Sequence, residues 1–125
     1  MENKEKKILH LKFGLTLLKI LEERKDVANN NKITGKNDHK LISSIRKLSA
    51  ASGIDFGTVQ KITKGDQGLA FFTFIDLIES LDLNMLTFGE YFNSITNVEI
   101  KDYQISIQKA RKDRDIKKSK QKRKV

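Results

Sequence analysis

The sequence predicts an all-α protein of about five helices followed by a basic C-terminal tail. Three observations carry this. The chain contains no proline, so nothing in it forbids long helical runs. It is rich in Leu, Ile, Lys and Glu, which favour helix. Its apolar residues recur three and four apart over several segments, each closed by glycine or polar residues.

Taken in order, Met1–Lys7 is charged and expected to fray. Ile8–Lys25 reads as a helix, with Leu11, Leu15, Leu18 and Leu21 on one stripe and Phe13, Leu17 and Ile20 beside it. Gly14 lies inside it, at a cost of about 1 kcal/mol relative to Ala. Asp26–Asn37 is polar, carries Asn29, Asn30, Asn31 and Gly35, and reads as a loop inserted into the domain. A second helix is expected from an Asp38 cap, with Leu41, Ile42, Ile45 and Leu48 facing inward and Gly53 ending it. A third starts at Asp55, runs over Phe56–Lys64 and stops at Gly65. Ala70–Leu81 reads as a strongly apolar helix, with Phe71, Phe74, Ile75 and Ile78 forming one stripe and Leu77 and Leu81 beside it. Its Phe-rich start is expected in the core. Thr87 is a candidate cap for a short helix holding Phe88, Tyr91 and Phe92. After Asn97 the pattern weakens. Ile105 with its alternating neighbours fits a strand, while Ile100, Tyr103 and Ile107 fit a helix, which is the preferred reading. The expected division is a body over 1–96 and an extension over 97–125 that ends in a tail without structure of its own.

Charge is unevenly distributed. The net charge is +9, yet residues 109–125 hold ten basic residues and two acids, leaving only +1 for residues 1–108. The excess belongs to the tail: Lys109, Arg111, Lys112, Arg114, Lys117, Lys118, Lys120, Lys122, Arg123 and Lys124. Such a run neutralises phosphates, binds an acidic partner or RNA, or serves solubility, and nucleic acid is the favoured reading. There is no cysteine, so neither a disulfide framework nor a thiolate metal site is available. No secretory signal is visible, and Ile8–Leu21 is interrupted by His10, Lys12 and Lys19, too charged for a membrane span. A cytoplasmic, nucleoid-associated location is expected. Enzymatic chemistry finds little support. His10 and His39 lack metal-ligand spacing, Glu22 and Glu23 have no partner base, and Gly65 and Gly68 read as turn glycines rather than a phosphate loop. No catalytic residue, metal, cofactor or small-molecule ligand is expected.

The informative stretch is Ser44–Gly65, SIRKLSAASGIDFGTVQKITKG. Two helices crossing steeply through a short turn need a small contact, a backbone free to take positive φ, and apolar inner faces. Ser49 and Ala50 supply the first, Gly53 the second, and Leu48, Ile54, Val59 and Ile62 the third. Asp55 stands at the N-cap position, and Ile54 and Val59 at those of a hydrophobic staple.

These residues resemble the helix-turn-helix of the Cro and phage-repressor family (XRE-like, lambda-repressor-like fold). The likeness covers Ile8–Lys25 and Ser44–Leu81, and more loosely Phe88–Phe92. The chain departs from the family in the 26–37 insertion, in Ile45 where a Gln is usual, and in Gly57 at a reading position. The resemblance implies a bacterial or mobile-element transcriptional regulator that binds double-stranded DNA. Its recognition helix would lie in the major groove, with Phe56, Thr58, Gln60 and Lys61 towards base edges. Lys61 suits guanine O6 and N7, Gln60 suits adenine, and Phe56 suits a thymine methyl. Arg24, Ser44, Arg46, Lys64, Gln67 and the backbone amides after Gly65 would hold phosphates. A homodimer on a palindrome, with half-sites about 34 Å apart, is the form expected. The alternative is a protein-interaction adaptor whose basic tail binds DNA or RNA non-specifically.

Overall fold

A computed structural model describes residues 3–33 and 42–122, and these form six helices and no strand. They are α1 (Asn3–Ile33), α2 (Ile45–Ser52), α3 (Phe56–Thr63), α4 (Phe71–Ser80), α5 (Met85–Ser94) and α6 (Asn97–Lys122). The all-α class is as the sequence implies.

The long α1 organises the rest, because apolar side chains emerge on two of its faces. Phe13, Leu17, Ile20 and Leu21 join Leu48, Val59, Ile62, Leu77, Ile78, Leu81 and Phe88 in the main core. Leu11 and Leu15 turn the other way and pack with Ile95, Ile100, Tyr103 and Ile107 in a second cluster beneath α6. Removing a fully buried leucine such as Leu17 or Leu48 costs about 2–5 kcal/mol, since the cavity closes only in part. The buried Thr16 hydroxyl donates to the Lys12 carbonyl at 2.7 Å, so no unsatisfied group is left there.

α1 continues to Ile33, so Asp26–Ile33 is helix and not the expected loop, while Thr34–Asn37 lie outside the described residues. Asn29, Asn30 and Asn31 are poor helix formers. Once more than twenty residues are already helical, however, each added residue costs only its propensity, and no new nucleus is needed. Asp38, His39 and Leu41 lie outside the described residues. α2 starts at Ile45 and not near Asp38. Ser44 is its cap, with extended backbone and a hydroxyl that accepts from the Lys47 N–H at 3.2 Å.

The remaining ends follow local chemistry. Gly65 takes φ 71° just after α3; its N–H donates to the Ile62 carbonyl and that of Asp66 to the Lys61 carbonyl, the paired bonds of a Schellman ending. α4 ends likewise through Asp82 and Leu83, but its left-handed position is held by Asp82, at φ 57°. The cap of α5 is Asn84, whose side chain accepts from the Thr87 N–H at 2.8 Å; Thr87, expected as the cap, lies one turn inside. Thr96 and Glu99 form a reciprocal capping box at the start of α6.

In α4 the buried face is Leu77, Ile78 and Leu81, with Phe74 and Ile75 half-buried. Phe71 and Phe72 are 65% and 80% exposed, contrary to the expectation of a core role; they stack on each other, ring centroids 5.9 Å apart, outside the core. Phe74 does reach the core, where Phe13, Phe74 and Phe88 form an aromatic triad with ring centroids 5.2–5.5 Å apart.

α6 is helical to Lys122, so the tail from Lys109, expected to have no structure of its own, continues on helical backbone the helix expected after Asn97. Its inward residues are Ile100, Tyr103 and Ile107, while Ile105 is half exposed, which settles the ambiguity in favour of helix. From Gln108 to Ile116 every residue of α6 is exposed. No helix among the described residues is long and apolar enough to cross a membrane.

Candidate nucleic-acid interface

The turn between α2 and α3 closes on its own polar groups. Gly53, at φ 75°, donates its N–H to the Ser49 carbonyl at 3.0 Å. The Ser49 hydroxyl donates to the Ile54 carbonyl, and the Ile54 N–H donates to the Ser52 hydroxyl at 3.2 Å. Ser49 is therefore more than a small contact: it links the end of α2 to the residue before α3. Ile54 and Val59 share the main core, as a hydrophobic staple requires. Asp55 occupies the N-cap position, but its side chain makes no capping bond.

With Leu48, Val59, Ile62 and Thr63 turned inward, the other face of α3 is left to solvent. Lys61 is exposed there, and Phe56, Thr58, Gln60 and Lys64 are half-buried. Gly57, Lys61 and Lys64 fall at i, i+4 and i+7, so the two lysines share one stripe. Phe56 is covered on one side by Arg46, whose guanidinium carbon lies 4.8 Å from the ring centroid. This cation–π contact ties a phosphate candidate on α2 to a base candidate on α3.

Not every expected phosphate group stands free. Ser44 is engaged as the α2 cap. Arg24 donates to the Leu81 carbonyl, so its guanidinium tethers α1 to the end of α4. Among the backbone amides after Gly65, that of Asp66 is taken by the Lys61 carbonyl at 2.9 Å and offers no anion a donor. Arg46 and Gln67 are exposed, and Lys64 closes α3 as its C-cap residue.

Just after α3 one of the tail cations, Arg111, is engaged by the body together with Lys7. Asp66 binds Lys7 at 3.1 Å and also Arg111 of α6. Lys7 donates in addition to the Gly65 carbonyl at 2.9 Å. The Tyr103 hydroxyl donates to the Thr63 carbonyl at 2.7 Å, and burial, helped by the Asp66 charge, pushes it up to about 12. α6 is thus fixed against the end of α3, and its cationic run departs from that point. Lys109, Lys112 and Arg114 are exposed along it. Lys117, Lys118, Lys120 and Lys122 follow on helical backbone, while Arg123 and Lys124 lie outside the described residues. No sequence motif marks the Asp66 junction, because its partners are 59 and 45 residues away.

No group of His, Cys, Asp and Glu suited to a metal ion occurs among the described residues. Compared with known families, curated proteins and solved structures, the chain gives no match, so the likeness to the phage-repressor family rests on its motif residues alone.

Proposed function

We propose that this protein binds duplex DNA through the α2–α3 pair, with α3 as the major-groove helix, and acts as a sequence-specific transcriptional regulator of the Cro and phage-repressor type. The observation that carries the reading is the glycine-closed, staple-locked turn. It holds two eight-residue helices in a fixed pair while leaving one face of α3 outside the core. That face offers a cation at Lys61, an amide at Gln60, a hydroxyl at Thr58 and an aromatic edge at Phe56. These are the side-chain types that read base edges. Arg46, Lys64 and Gln67 flank them and suit phosphates, which set register without specifying sequence. Two-fold dimerisation on a palindrome belongs to the same proposal.

A second reading is favoured by the charge distribution, since nearly all the excess charge sits in residues 109–125. In it the body docks a protein and α6 grips nucleic acid non-specifically. Selection of bound duplexes from a random library separates the two. Full-length protein and a chain ending at Ile116 are compared, the latter keeping Tyr103, Ile107 and Arg111 and hence the packing of α6. One motif enriched by both proteins supports α3 as reader. Binding by the full chain alone, with nothing enriched, overturns it.

A further inference from the structure

We infer that the cleft between the first half of α1, the segment after α3, and α5 binds a small amphiphile with an apolar body and one anionic group. This inference stands independently of the DNA-binding reading.

The cleft has a volume of about 760 Å³, within the range of roughly 300–1,000 Å³ typical of small-molecule sites. Its walls are Phe13, Leu69, Phe74, Met85, Phe88 and Phe92, an aromatic lining suited to an acyl chain or fused ring. Its polar side chains are Lys6 and His10 on α1 and the neutral Gln67 on the loop side, so both basic groups lie on α1, and neither has an ion pair among the described residues. Lys12 adds a third basic group nearby, its ammonium 4.3 Å from the centroid of the Phe92 ring. Among the described residues, no carboxylate lines the cleft. An apolar cavity with a cationic edge complements an anionic head on an apolar tail. It does not complement a second copy of this chain, which would bring the same cations to the same edge.

A second observation concerns glycine. Gly89 lies within α5, where glycine costs about 1 kcal/mol relative to alanine. No packing requires it there: a Cβ built at Gly89 meets nothing within 4 Å. It faces the cleft, so the missing side chain widens the cavity at the expense of the helix. Gly68 repeats this on the loop side, where a Cβ would lie 3.9 Å from the His10 ring and in contact with nothing closer. Because the lining comes from α1, the loop after α3, α4 and α5, no local sequence motif announces it.

The test is calorimetric titration of the full chain with decanoate, and with decyltrimethylammonium, which has the same tail and the opposite charge. Decanoate is expected to saturate one site per chain and to bind at least about tenfold more tightly than the cation. Lys6→Gln should weaken decanoate binding and leave binding of the cation equal or stronger, narrowing the difference between them. Gly89→Leu should fill the cavity and weaken decanoate binding at least about tenfold, with unchanged helical circular dichroism and an equal or higher Tm. Gly68→Leu closes the cleft from the loop and should do the same, so the test does not depend on one variant folding. Absence of a saturable site, equal affinity for both amphiphiles, or indifference to the folded glycine variants overturns the inference. So does a dimer, seen by sedimentation, that the same variants split, because the occupant is then a second copy.

Discussion

Gly14 of α1 lies so close to Thr63 that a Cβ at position 14 would stand 2.2 Å from the Thr63 carbonyl oxygen. The same carbonyl accepts the Tyr103 hydroxyl of α6. The end of the candidate recognition helix is therefore gripped from two sides, by a glycine that lets backbone meet backbone and by a buried phenol. The proposed base-reading residues Phe56, Thr58, Gln60 and Lys61 are carried on α3, so under that proposal the rigidity of this junction sets where they point.

Gly14→Ala tests the junction by the sign of its effect. Helix propensity alone predicts a gain of about 1 kcal/mol. The clash with a backbone carbonyl that cannot rotate away predicts instead a loss of about 3 kcal/mol, read by urea unfolding. A stabilised variant would show that α1 and α3 do not approach this closely.

Tyr103→Phe removes one hydrogen bond and leaves the Thr63 carbonyl without that donor, with an expected loss of about 1 kcal/mol. The titration is equally diagnostic. Because the folded-state value of Tyr103 is raised from 10 to about 12, the unfolded chain loses this proton first. The Tyr103 contribution to stability is thus intact below pH 10 and falls as pH rises towards 12. Tyr91 is also raised, chiefly by its hydrogen bond to Glu23 and then by burial. Ultraviolet titration of phenolate absorbance in the folded protein should show Tyr103→Phe removing the high-pH component. A wild-type protein whose two tyrosines both titrate at 10 contradicts the geometry.

Asp82→Gly should stabilise the protein by about 0.5–1 kcal/mol, because Asp82 holds the left-handed position that ends α4 and glycine adopts it without Cβ strain. Thermal melts compare the two. An unchanged or lowered Tm would mean that the carboxylate contributes something the backbone geometry does not reveal.

Under the DNA-binding reading, Lys61→Ala should weaken a selected operator by about 1–3 kcal/mol and relax preference at one position. Ending the chain at Ile116 removes six cations and no acids. It should weaken all duplexes alike and flatten the salt dependence by up to about 0.9 in log–log slope per lost phosphate contact. Equal losses on every sequence from Lys61→Ala would remove α3 from the role of reader.

Much of the body was legible because its signals are local. Gly53, Ile54 and Val59 lie within seven residues of one another, and a turn, a cap position and a staple are properties of such short spans. The ends of α1 and α6 were not legible, because continuation of an existing helix needs only tolerable residues, not a visible signal. The Thr96–Glu99 capping box was present in the sequence and could have marked the start of α6. The exposure of Phe71 and Phe72 had no sequence sign, since apolar spacing says which residues share a face and not whether another helix covers it.

The sequence by itself determined the helical class, the α2–turn–α3 unit and the concentration of positive charge at the C-terminal end, all consequences of nearest-neighbour spacing and composition. Tertiary structure decided the rest. It engaged Arg24 in tethering α1 to the end of α4, seated α6 on Asp66 and Thr63, and opened an apolar cleft beside Gly89. Each of these joins groups tens of residues apart, and only the packing of α1 against the other helices brings them within bonding distance.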